Sequence, residues 1–147
     1  MKAGLRILLG AFLLSPAPLT AAQTLQVLLQ ESGAVYWAAP FPETASFILR
    51  HCNSIYDVWV EERFQADRRG GIHLTGVKTA SPAVLEYYGL EADSAGWIPL
   101  SRSFGRISLL VSRRGRVSLL LDRESIPLSQ TLPDGTRIEI RVLTAPE

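Results

Sequence analysis

The chain has 147 residues, of which 47% are hydrophobic and 20% are charged, and its formal net charge is +1. This length suits a single domain, and the composition excludes a disordered tail or a solvating linker. Two of the 15 basic residues fall in an N-terminal leader, so the remainder nearly balances its 14 acidic residues. Such a chain has no long-range field to attract nucleic acid, and we predict no nucleic-acid partner.

The first 22 residues have the three parts of an export signal. Lys2 and Arg6 give a positive start, residues 7–14 form a short apolar run, and residues 19–22 end in small side chains. We therefore predict cleavage after Ala22 and localisation in the periplasm or at the outer face of the cytoplasmic membrane.

The apolar run is too short for a membrane-spanning helix. Such a helix needs about 20 apolar residues, and Ser15-Pro16-Ala17-Pro18 interrupts the run well before that. Residues 23–147 are predicted to form one domain. The alternative is that the leader remains attached as an anchor, and only in that case do we expect association with a membrane.

The rest of the sequence predicts a mainly β domain. Seven segments of strand length alternate or cluster apolar residues and are divided by turn residues. They are residues 24–30, 45–52, 58–64, 72–76, 107–111, 117–121 and 136–142. The pattern favours a small antiparallel β-sandwich or a partly open barrel of about seven strands.

The connections between these strands differ in kind. Gly-containing bends predict two hairpins, one turning at residues 68–71 and one at 113–115. The prolines of residues 32–44 predict an irregular loop, and residues 91–104 are predicted to form another. Ser81-Pro82 begins and Gly89 ends a short helix near residues 82–88.

No motif predicts a catalytic residue, a metal site or a cofactor. Cys52 is the single cysteine, which rules out an intramolecular disulfide, and its place in a strand predicts burial. His51 and His73 are the only histidines, and no compact ligand spacing surrounds them. His51 and Cys52 are adjacent on a strand and are therefore predicted to point to opposite faces.

Glu62 is the most informative polar residue. Strand alternation places it on the inward face together with Val58, Val60 and Phe64. A carboxylate there costs several kcal/mol unless it is paired or hydrogen-bonded. We therefore expect a partner among Ser54, Asn53 and Arg50. A buried network that fixes strand pairing and a ligand contact both remain open.

Residues 53–64 resemble a motif of the domain of unknown function 1850 family. In that family, a strand ending in His-Ser-Val is followed by an apolar residue, a Glu and an aromatic residue. Ser54, Ile55, Val60, Glu62 and Phe64 fit this order and spacing. The likeness extends over roughly residues 25–143, with strands around a Gly turn and a final alternating strand.

This resemblance has one departure and several implications. The family's His falls on Asn53, while His51 lies two residues earlier and keeps the strand parity. The resemblance implies a small exported or membrane-tethered protein that accompanies TRAP transporters of the TAXI kind. It implies no defined activity.

We therefore predict a non-enzymatic accessory or binding domain, with a TRAP/TAXI transporter component or its binding protein as the partner. The predicted binding residues are Asn53, Ser54, Glu62, Trp97 and His51. One alternative is a small envelope enzyme that uses Glu62 with His51. Another is a purely structural envelope protein that assembles through a sheet edge.

Overall fold

The computed structural model describes residues 23–91 and 96–145. The predicted leader, residues 1–22, lies outside this range. The described chain contains ten strands and two short helices. In chain order they are β1 (Gln23–Leu29), β2 (Val35–Phe41), β3 (Ser46–Asn53), β4 (Val58–Ala66), β5 (Ile72–Thr79), α1 (Pro82–Tyr87), β6 (Ile98–Phe104), β7 (Ile107–Leu110), β8 (Ser118–Leu121), β9 (Glu124–Ile126), α2 (Leu128–Thr131) and β10 (Arg137–Leu143).

These strands form two antiparallel sheets. The four-stranded sheet has the order β2-β1-β10-β7, and the six-stranded sheet has the order β6-β5-β4-β3-β8-β9. The predicted mainly β, antiparallel fold is confirmed, and neither sheet closes into a barrel. The predicted helix near residues 82–88 is α1, whereas α2 was not predicted. Ten strands occur where about seven were expected.

The main core lies between the sheets and follows from strand alternation. In the six-stranded sheet, the fully buried ring of Phe47 stacks on Phe64 with centroids 5.1 Å apart. The same ring packs edge-on against Phe41 of the four-stranded sheet, with centroids 5.9 Å apart. In the four-stranded sheet, Val27 pairs with Ile140, and both are buried. Burial of this apolar area stabilises the fold by roughly 25 cal/mol per Å².

Both predicted loops contain a strand. Residues 35–41 form β2 and residues 98–104 form β6, although Pro40 and Pro99 lie within them. Each of these strands is the edge of its sheet. An edge strand tolerates proline because one side of its backbone has no ladder hydrogen bonds to make. The expectation of irregular loops was wrong for this reason.

The predicted hairpin around Arg113-Arg114-Gly115 is also wrong. β7 pairs with β10 in one sheet, whereas β8 pairs with β3 and β9 in the other, so residues 111–117 cross between the sheets. The Val111 amide donates to the Thr136 carbonyl on one side of the crossing, and the Cys52 amide donates to the Gly115 carbonyl on the other. The apolar alternation identified the buried residues but not the strands with which they pair.

The hairpin of β4 and β5 is confirmed, and its turn is tied to the other sheet. The Oδ1 atom of Asp67 accepts from the amides of Arg69 and Gly71 within the turn. Gly70 has a φ of +82°, and a Cβ added there would lie 2.6 Å from the carbonyl oxygen of Val142 in β10. The turn therefore requires glycine at this position both for its backbone conformation and for its approach to β10.

No helix in residues 23–91 and 96–145 has the length and apolarity to cross a membrane.

Replacing Gly70 and Gly89 by alanine separates the requirement for a positive φ from the requirement for a close approach to β10. Gly89 also has a positive φ, of +70°, but has nothing within 4 Å of an added Cβ. Gly89→Ala should lower the free energy of unfolding by about 1–2 kcal/mol, the cost of a left-handed backbone. Gly70→Ala should lower the free energy of unfolding by about 1–3 kcal/mol more than Gly89→Ala does, because the Val142 carbonyl must move. Urea denaturation of both variants measures the difference, and equal losses would contradict the close approach.

Candidate functional site

The register of β3 and β4 brings two predicted site residues to one face. His51 lies opposite Val60, and Leu49 lies opposite Glu62. Successive side chains alternate between faces, so His51 and Glu62 both lie on the inner face of the six-stranded sheet, which also carries the buried Leu49 and Val60. The prediction that Glu62 shares the inward face with Val60 and Phe64 is confirmed.

Glu62 has two partners on this face. Its Oε2 atom lies 3.5 Å from Nε2 of His51, and its Oε1 atom accepts a hydrogen bond of 2.9 Å from the hydroxyl of Tyr88. Only 19% of the Glu62 side chain is exposed. These two contacts compensate the carboxylate for the water that it loses in this partly buried position.

The partners expected from the sequence are not the ones found. Arg50 lies on the opposite face of the sheet, 3.7 Å from Glu61. Asn53 accepts the amide hydrogens of Ile55 and Tyr56 and so stabilises the turn after β3. Ser54 is exposed in that turn. The expectation of Arg50, Asn53 or Ser54 as the partner of Glu62 was therefore wrong.

Helix α1 positions Tyr88. The hydroxyl of Ser81 accepts from the Val84 amide, Pro82 occupies the first turn, and Val84 and Leu85 are buried. The predicted start of this helix is confirmed. Tyr88 follows its last residue, and Arg102 donates to the Tyr88 carbonyl. No local pattern in the sequence connects Tyr88 with Glu62, which lies 26 residues earlier.

The hydroxyl of Tyr88 is the donor in its hydrogen bond with Glu62. Burial raises the pKa of Tyr88 above its usual value, and the nearby charge of Glu62 and the hydrogen bond to it raise this pKa further. The Tyr88 hydroxyl therefore stays protonated and donates to the carboxylate. Glu62 is held by this bond in a fixed orientation toward His51.

His51 and Glu62 lie in a cleft of about 360 Å³ between the two sheets. Its walls are mainly apolar and come from Leu49, from β7 and from the crossing segment. The remaining residues that line it are Ile107, Ser108, Leu109, Leu110, Ser112, Gly115 and Val117. An apolar cleft with a few converging polar groups is the usual form of a binding site.

One side of this cleft is a sheet edge. Among the described residues β7 pairs only with β10, and it is the last strand of its sheet. Leu110, at the end of β7, lines the cleft and is 55% exposed. The backbone of an edge strand can pair with an added strand.

Trp97 belongs to a different surface. The guanidinium of Arg63 lies 3.9 Å above its ring, and Arg63 is on the outer face of the six-stranded sheet. Of the five predicted binding residues, the structure brings together only His51 and Glu62. In the described part of the chain, no three His, Cys, Asp or Glu side chains converge as metal ligands.

Comparison with family models, with curated proteins and with solved structures finds no match to this chain. The similarity to the domain of unknown function 1850 family therefore stays a prediction that rests on residues 53–64.

Tyr88→Phe should alter the dependence of stability on alkaline pH. The pKa of Tyr88 is raised in the folded state above the ordinary value of 10.0. Its stabilising effect is therefore complete below pH 10 and is lost as the pH rises beyond that value. At pH 7 the free energy of unfolding of the variant should be about 1–3 kcal/mol lower than that of the wild type, since Glu62 loses a hydrogen-bond donor. Above pH 10 this difference in the free energy of unfolding should narrow.

Urea denaturation between pH 7 and pH 11 measures this gap. Tyr36→Phe is the matched control, because it removes a hydroxyl that donates to Thr131 on an exposed surface and leaves Tyr88 in place. A gap that stays constant in Tyr88→Phe up to pH 11 would contradict the proposed bond to Glu62.

Proposed function

We propose that this chain is an exported, non-enzymatic binding domain, and that its inter-sheet cleft holds an extended segment of a partner protein. The observation that carries the proposal is the His51–Glu62 pair, 3.5 Å apart, in an apolar cleft beside the edge of β7. Edge-strand pairing supplies affinity through backbone hydrogen bonds, and adjacent pockets supply selectivity through side chains.

The chemistry of the cleft suggests what such a segment carries. Leu109, Leu110 and Val117 favour an apolar side chain, since they offer no hydrogen bonds. Nε2 of His51 faces Glu62, which leaves Nδ1 to meet a polar group of the partner. Since Glu62 adds negative charge, a hydroxyl, amide or ammonium group suits this end better than a carboxylate.

The proposed partner is a component of a TRAP/TAXI-type transporter, either its binding protein or its permease. This part of the proposal rests on the similarity of residues 53–64 to the domain of unknown function 1850 family. The proposed export rests on the leader.

Export with cleavage makes a simple prediction. When the full chain is expressed in a bacterium with a periplasm, the mature protein should be found there and should begin at Gln23. N-terminal sequencing and intact mass measure this. A protein that retains Met1 and partitions with membranes would instead establish the anchored alternative.

Leu110→Glu should prevent capture of the partner. A charge at this position would have to lose water when the partner segment fills the cleft, and the affinity should fall by more than about tenfold. Leu143→Glu is the matched control, since Leu143 is also exposed at a strand end, 39%, but does not line the cleft. The measurement is pull-down, followed by titration, with the TRAP/TAXI binding protein and permease encoded in the same genome.

His51→Ala and Glu62→Gln test the polar end of the cleft in the same assay. Both should weaken capture, while Trp97→Ala and Ser54→Ala should not, because those residues lie elsewhere. Equal capture by Leu110→Glu and Leu143→Glu would contradict the cleft as the binding site.

A second candidate function is a small hydrolase, favoured by Ser112, which lines the cleft that holds His51 and Glu62. Imidazole and carboxylate side chains activate serine in many hydrolases. Turnover of short p-nitrophenyl esters that disappears in His51→Ala and Ser112→Ala but survives in Trp97→Ala would support this function. Absence of turnover by the wild type would favour the binding domain.

A further inference from the structure

The outer face of the six-stranded sheet carries a cluster of arginines around one tryptophan. Because β3 and β4 alternate, Arg50 and Trp59 point away from the face that holds His51 and Glu62. The guanidinium of Arg50 lies 4.2 Å from the centre of the Trp59 ring, and that of Arg116 lies 4.8 Å from it. Trp59 is nevertheless 40% exposed.

Arg116 reaches this cluster from an unusual backbone conformation. Its φ is +47°, and that of Asp57, its partner in a 2.9 Å ion pair, is +49°. Non-glycine residues seldom adopt positive φ, and such conformations cluster at functional sites. The same guanidinium nitrogen lies 3.0 Å from the buried sulfur of Cys52. The predicted burial of Cys52 is confirmed, and the thiol lies beneath the Arg116 side chain.

A cleft of about 680 Å³ opens beside Trp59, and its charge is one-sided. Three arginines line it, namely Arg50, Arg113 and Arg116, and none of the carboxylates in the described part of the chain does. Besides Trp59, the other lining residues are three polar and two apolar ones: Ser118, Ser129, Gln130, Val117 and Pro127. The volume lies within the range of small-molecule sites.

The nearby carboxylates do not neutralise these arginines fully. Glu61 is shared between Arg50 and Lys78, each at 3.7 Å. Both Glu61 and Asp57 line a separate depression on the other side of Trp59. The Nε atom of Arg50 is buried and has no hydrogen-bond acceptor among the described residues. The cleft therefore keeps an excess of positive charge and donor groups.

We infer that this arginine-lined cleft is a binding site for a small-molecule oxyanion. Guanidinium groups bind carboxylate and phosphate through paired, charge-assisted hydrogen bonds. Trp59 holds two of the guanidinium groups by cation–π contact, which limits their freedom before the ligand arrives. This inference is independent of the proposed function, because the inter-sheet cleft lies on the opposite face of β3 and β4.

The test is titration of the purified protein with citrate and with inorganic phosphate, at constant ionic strength set by sodium chloride. The readout is the indole N–H resonance of Trp59 in a ¹H–¹⁵N spectrum, together with calorimetry. We expect saturable binding of at least one anion, with a shift of the Trp59 resonance. A response to citrate alone identifies a carboxylate site, and a response to phosphate alone identifies a phosphate site.

Arg113→Ala and Arg116→Ala should each weaken the binding by about tenfold or more, since each removes a charged donor. Arg114→Ala is the matched control, because Arg114 is exposed in the same segment but does not line the cleft. Unchanged spectra outside the cleft show that the variants fold. The inference is overturned if neither anion shifts the Trp59 resonance, or if Arg113→Ala and Arg116→Ala bind as tightly as Arg114→Ala.

Discussion

The antiparallel pairing of β3 with β4 is the constraint on which both sites depend. It places Leu49 opposite Glu62 and Arg50 opposite Glu61, so neighbouring residues serve opposite faces of one sheet. A slip of one residue in β4 would send Glu62 outward, whereas a slip of one residue in β3 would bring Arg50 into the core. The phenylalanines hold this register, because Phe47 and Phe64 are opposite each other and stack in the core.

The inward carboxylate shows how a small domain accommodates a partly buried charge. Glu62 receives a hydrogen bond from Tyr88 and faces His51, and Tyr88 is brought there by a helix of six residues. Outside the main core, α1 thus has two tasks. It covers Val60 and Val77 with a small apolar cluster, and it delivers the hydroxyl that keeps the Glu62 carboxylate satisfied within the sheet.

Local patterns in the sequence predict the structural features that depend on residues close together in the chain. The alternation of residues 136–142 predicts β10, and Ser81-Pro82 predicts the start of α1. The same alternation predicts that Glu62 faces inward. Strand pairings and contacts between residues far apart in the sequence leave no such local pattern. Pairing of β7 with β10, strand formation around Pro40 and the contact of Tyr88 with Glu62 all require knowledge of the sheet order.

The pairing of the first strand with the last has a consequence for how the protein forms. β1 lies between β2 and β10, and Leu25 is opposite Val142. The four-stranded sheet cannot be completed until β10 has been synthesised. Contacts between such distant residues also form slowly, because a long loop must close first. The six-stranded sheet does not have this requirement, because all six of its strands precede β10 in the chain, so the two sheets can form at different times.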